Sequence, residues 1–202
     1  VLRGERDADV PCGDCTGCCT SGYSIQLRAG DVAARAQVPL DLTVEAPGFA
    51  PGDLTLPARA DGTCPMLRDG RCSIYAQRPQ TCLGYDCRIF AAAGLEAGGA
   101  DKSVINRRVR AWRFSYEGEA ERDAHQAVRQ AARFIRERPE AFSALGVRVP
   151  TGTMGIAVLA IKAHAALLDP ATPVDGPGRA RALFAAGRAF DGLPPAPAPR
   201  DP

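Results

Sequence analysis

The sequence predicts a mostly α protein that carries a small, irregular, cysteine-rich region with one short β-hairpin. Three observations predict it. All eight cysteines fall between Cys12 and Cys87, and the rest of the 202 residues contain none. Asp69-Gly70 stands between the short runs MLR and RCSIY, a strong two-residue hairpin signal. From Asp101 onward, apolar residues recur at helical spacing.

Residues 1–23 read as loop, rich in Gly, Asp, Thr and Ser. A short helix is expected over Asp31 to Ala36, followed by an irregular stretch punctuated by Pro39, Pro47, Pro51 and Pro57. In the hairpin, Arg68 faces Arg71, Leu67 faces Cys72 and Cys64 faces Tyr75. Because faces alternate along a strand, Cys64 and Cys72 then point to opposite sides unless Pro65 breaks the register. Arg78-Pro79 opens a helix, since proline tolerates the first turn. Gly84 is expected to end that helix, because a continuous one would set Cys82 and Cys87 about 140° apart.

Four longer helices follow. Ile105, Val109, Trp112 and Tyr116 define the first, with Phe114 joining the aromatic set as core. Ala120, Ala124, Ala127, Val128, Ala131, Phe134 and Ile135 define the second, ending near Arg138-Pro139. A third begins at a Thr151 or Thr153 cap and stops before Asp169-Pro170. The fourth runs from about Arg179 to Phe190. The chain thus divides into a cysteine-rich metal-chelating region over 1–95, a helical region over 96–192, and a proline-rich tail over 193–202 with the composition of disorder.

Composition narrows the function. Twenty-five basic and 23 acidic residues leave a net charge of +2, so no basic field points to nucleic acid. The amino-terminal VLRGERDADV lacks the apolar run of a secretory signal. Met154 to Leu168, interrupted by Lys162 and His164, is too short and polar to span a membrane. A cytoplasmic location is expected. Any partner would be a protein docking on the helical region, where Arg107, Arg108, Arg110 and Arg113 read as a solvated face.

The cysteines carry the chemistry. In CGDCTGCC, Cys12, Cys15 and Cys18 are spaced by two residues, so that a tight loop can wrap one metal while its turning amides bond to the sulfurs. Gly13 and Gly17 permit such a backbone. Cys19 is adjacent to Cys18, and side chains so placed are expected to diverge, leaving one of them for a second metal, a second iron or a free redox thiol. Cys64, Cys72, Cys82 and Cys87 supply the second block. Cys82, in the first turn of its helix, is expected to favour the thiolate. All eight are candidate ligands of an iron-sulfur cluster, the 4Fe-4S form favoured over zinc, in a redox or structural role. The alternative is an enzyme, an oxidoreductase or protein-modifying methyltransferase, using the cluster or a spare thiol. Four disulfides instead are disfavoured in a reducing compartment. His125 reads as a solvated residue and His164 as a hydrogen-bonded core histidine.

CGDCTGCC, followed by Cys64-Pro65, Cys72-Ser73-Ile74-Tyr75, Arg78-Pro79 and Cys82, resembles the bacterial CxxCxxCC family of zinc- or iron-chelating proteins. The likeness covers roughly residues 10 to 90 and implies a metal-chelating, cysteine-rich fold. The family includes flagellin lysine methylases, whose cysteine region is linked to an iron-sulfur cluster. Relatives place an arginine and an aromatic after the cysteine equivalent to Cys82. Here Leu83, Gly84 and Tyr85 follow it, and Arg88 and Phe90 follow Cys87 instead.

Overall fold

The structure, a computed structural model, describes residues 14–46 and 48–192. Cys12, Gly13, Pro47 and the proline-rich tail therefore lie outside the described residues. The fold is mostly helical with a small antiparallel sheet and one hairpin. The described residues form two compact units: one takes 14–46, 48–86 and Gly98–Arg108, the other Cys87–Ala97 and 109–192.

In the first unit, strands β1 (Ile25–Leu27), β2 (Val44–Glu45) and β3 (Leu54–Leu56) form a sheet in the order β1-β3-β2. The sequence pattern shows no sheet here, because strands of two or three residues are too short for alternation to register. Ile25 pairs with Leu56 and Leu27 with Leu54. Their shared face joins Val38, Met66 and Ile74 in the core of this unit, with Cys64 and Cys72 packed against it. Helix α1 spans Val32–Gln37, one residue later than expected.

Strands β4 (Leu67–Arg68) and β5 (Arg71–Cys72) make the hairpin, with Leu67 opposite Cys72 and Arg68 opposite Arg71 as expected. Asp69 and Gly70 both take positive φ, 48° and 72°, which two-residue hairpin turns of the mirror-image type require. Cys64 does not face Tyr75, because the ladder ends at Leu67: the Leu67 N–H turns back to the Cys64 carbonyl at 2.9 Å, closing a turn with Pro65 inside it. Helix α2 (Gln80–Leu83) follows Pro79 and ends at Gly84, whose N–H bonds to the Gln80 carbonyl at 2.8 Å. The expected break is there.

Helix α3 (Arg88–Ala93) belongs to the second unit and closes on Gly94 in the left-handed conformation. Helix α4 (Ser103–Ala111) ends five residues before Tyr116. Arg113 Nη1 donates to the carbonyls of Arg110 at 2.7 Å and Trp112 at 2.9 Å, so a side chain satisfies the carbonyls at that end. Trp112, Phe114 and Tyr116 therefore lie outside the helix; Phe114 and Tyr116 remain 39% and 36% exposed and are not core.

Helices α5 (Glu119–Glu137), α6 (Pro139–Ser143), α7 (Thr153–Ala163) and α8 (Gly176–Phe190) complete the second unit. Helix α5 packs on α3 and α7, and α7 packs on α8. The predicted stripe is buried at Ala127, Val128, Ala131 and Ile135, and meets Ala157 and Ala160 among the fully buried residues of α7. Gly152, not a threonine, precedes α7, and the Thr153 hydroxyl donates to Ala97 O at 3.1 Å instead. Helix α8 begins before Arg179 because Asp175 accepts the Gly178 N–H at 2.7 Å and Pro177 suits the first turn. No helix among the described residues is long and apolar enough to cross a membrane.

Candidate metal centre

From Thr16 onward the first cysteine block winds into a turn pinned at three points. Ser21 Oγ donates to Gly17 O at 2.6 Å and Thr20 Oγ1 to Thr16 O at 3.0 Å, coiling residues 16–21 into a tight turn. The Cys64 N–H donates to Cys19 O at 2.7 Å, and the Gly22 N–H to Gly62 O at 2.8 Å. Lys102 donates to the Ser21 carbonyl while its ammonium lies 4.5 Å from the Tyr23 ring centroid. Tyr23 in turn accepts a hydrogen bond from the Tyr85 hydroxyl at 3.1 Å. Two stretches 45 residues apart are thus joined by backbone bonds at the cysteines themselves.

Helix α2 brings Cys82. Asp31, buried, accepts the Gln80 N–H at 2.9 Å, and Thr81 Oγ1 donates to Gln26 O at 2.9 Å, which fixes α2 against β1. Arg78 stacks its guanidinium 3.6 Å above the Tyr75 ring and lends positive charge to Cys18 and Cys82. Its role is legible in the sequence only as a cation between Cys72 and Cys82.

Five thiols, Cys18, Cys19, Cys64, Cys72 and Cys82, act on one another electrostatically in this unit. Cys18 and Cys19 do not diverge: their sulfurs lie 4.0 Å apart, because the pair sits in the short 3-10 turn Cys18–Thr20 rather than in extended backbone. The contact between the two thiols lowers the Cys18 pKa and raises that of Cys19, and burial raises Cys19 further. Burial raises the Cys64 thiol. Cys82 is pushed up to about 12, first by burial and then by Cys18, Cys64 and Cys72. The start of α2 therefore does not favour its thiolate; desolvation and like charge outweigh the few amides of a four-residue helix. Cys64 and Cys72 share one core and feel each other's charge, so the turn at Pro65 overrides their expected opposition.

The other cysteines differ. Cys15 is exposed and its sulfur accepts the Gly17 N–H at 3.4 Å, the amide-to-sulfur bond expected of this loop. Cys87 belongs to the second unit, is 8% exposed, and accepts the Trp112 indole N–H at 3.2 Å. His125 is not simply solvated: Nδ1 meets the Tyr116 hydroxyl and Nε2 lies 3.0 Å from Ala92 O. His164 is half-buried with Nδ1 2.7 Å from Ile161 O, as expected.

The donor set fits a soft metal. Two thiolates on one zinc with bonds of about 2.3 Å stand about 3.8 Å apart in a tetrahedron, and the Cys18–Cys19 separation is 4.0 Å. Among the described residues no three cysteine, histidine or carboxylate donors surround one point at ligand distance. Residues 11–96 match the CxxCxxCC family model, described as "Putative zinc- or iron-chelating domain". This stretch is similar to a CxxCxxCC domain. It contains all eight cysteines and, with Gly98–Arg108 outside it, the elements that pin the loop. No curated protein and no solved structure matches the chain.

Proposed function

We propose that the CxxCxxCC domain chelates a single transition-metal ion, zinc, through the thiolates of Cys18 and Cys19 and two drawn from Cys64, Cys72 and Cys82. The 4.0 Å sulfur separation of an adjacent pair carries the reading. Four cysteines serving the four irons of a 4Fe-4S cluster give each iron one thiolate, whereas two sulfurs this close suit one ion. When bound, the ion supplies the charge that lets clustered thiols ionise together. The chain's own residues then hold the site: Lys102 and Cys64 fix the loop, Asp31 and Thr81 fix α2, and Arg78 offsets the remaining anionic charge. The role is structural, joining the two cysteine blocks of a unit built on very short strands.

An iron-sulfur centre is the second reading, favoured by the Gly17 N–H bond to Cys15 and by the Cys12, Cys15, Cys18 spacing. Elemental analysis of anaerobically purified protein separates them. Zinc at one per chain, with no visible absorbance, supports the first; iron with sulfide and a visible band supports the second. Protein that holds neither metal, and takes up neither on reconstitution, overturns both.

A further inference from the structure

The second unit contains a cleft of about 480 Å³ between α3, the end of α4 and α5, within the size range of small-molecule sites. Its walls are aromatic and its charge is cationic: Trp112, Phe114 and Tyr116 line it with Arg110, Arg113 and Arg129, against the single carboxylate of Glu96.

The cations are not equivalent. Arg110 is paired with Glu96. Arg113 spends donors on the carbonyls of Arg110 and Trp112. Arg129 makes no ion pair among the described residues, and its Nε stands 3.2 Å from where a side chain on Gly94 would begin. Gly94, with φ of +68°, thus both ends α3 and leaves room for that guanidinium.

The walls are held before any ligand arrives. The Trp112 indole is anchored on the Cys87 sulfur. The Ala92 carbonyl can only accept, so His125 Nε2 carries the proton and Nδ1 accepts from the Tyr116 hydroxyl. Phe114 meets the same imidazole edge-on, with centroids 4.8 Å apart. Fixed walls reduce the ordering cost of binding.

We propose that this cleft binds a small monoanion that joins a flat aromatic ring to a carboxylate, the carboxylate on Arg129 and the ring against the aromatic wall. Arg129, which has no acidic partner among the described residues, matches one carboxylate bidentately, and Glu96 disfavours a multiply charged guest. The aromatic faces and edges suit a planar ring. This site is independent of the metal reading, since it lies wholly in the second unit.

Trp112 is the only tryptophan, so its indole N–H resonance in 15N-labelled full-length protein reports the cleft directly. The probes are benzoate, cinnamate and quinoline-2-carboxylate, each beside its neutral amide, with inorganic phosphate as a further arm. At least one carboxylate is expected to shift the resonance saturably while its amide and phosphate do not. Arg129→Gln, a surface change, weakens that carboxylate by at least about tenfold, and Arg129→Lys restores only part of the loss. No saturable shift with any carboxylate, equal binding of the amide, saturation by phosphate alone, or unchanged affinity in a folded Arg129→Gln protein each overturns the proposal.

Discussion

The carboxylate of Asp31 accepts the backbone N–H of Gln80 at 2.9 Å, tying the start of α1 to the first turn of α2 across 49 residues. Its other oxygen accepts the Arg28 N–H at 2.9 Å. One buried side chain therefore satisfies two amides and fixes the helix that carries Cys82. Asp31→Ala leaves both amides without an acceptor and is expected to cost about 2–4 kcal/mol, read as a lower denaturant midpoint. Asp31→Asn, whose single carbonyl oxygen can serve one amide, should recover part of it. An unchanged midpoint would show that α2 is held by Thr81 alone.

Lys102 is only 15% exposed along its side chain and joins the Ser21 carbonyl to the Tyr23 ring. Lys102→Met should free the cysteine loop. In metal-free protein, labelling of Cys18 and Cys19 by a thiol reagent is expected to accelerate several-fold, measured by peptide mass mapping, while Cys87 labelling stays slow.

Cys87 accepts the Trp112 indole N–H, and the proposed centre does not draw on it. Cys87→Ala is therefore expected to leave the bound metal per chain unchanged and to shift the emission of the single tryptophan. Cys18→Ser should do the reverse, lowering metal content by more than half with little spectral change. Equal metal loss in both variants would place Cys87 in the centre.

Burial, and then the nearby Arg129 guanidinium, lower the pKa of His125 below its usual value. The unfolded chain then takes up a proton at higher pH than the native one, so this contribution to stability is intact above about pH 6.5 and is lost as pH falls below it. His125→Gln should flatten the fall of thermal midpoint between about pH 6.5 and 5. Tyr116, Phe114 and the Ala92 carbonyl also face the ring. A slope identical to that of the unaltered protein would refute the assignment.

Ala160 is fully buried on α7, which packs against both α5 and α8. Ala160→Leu adds volume at a fully buried position and is expected to cost about 1–3 kcal/mol, seen in chemical denaturation. Ala165→Leu, beyond the helix and exposed, is expected to cost far less.

The amino-acid order alone determined what depends on neighbours in the chain. The Asp69-Gly70 turn, the stop at Gly84, the α5 stripe from Ala127 to Ile135 and the two-residue cysteine spacing each rest on local dihedral preference or periodicity. Tertiary structure decided which thiols meet. Cys18 and Cys19 converge because Ser21, Lys102 and Cys64 wind their loop into a turn, and Cys64 joins Cys72 because the ladder stops short of Pro65. Cys87 belongs to a different unit from Cys82, five residues away, because Gly84 releases the chain and Phe90 is fully buried beyond it. Spacing limits which sulfurs can share an ion, but the hydrogen bonds and buried surfaces of residues far along the chain choose among them.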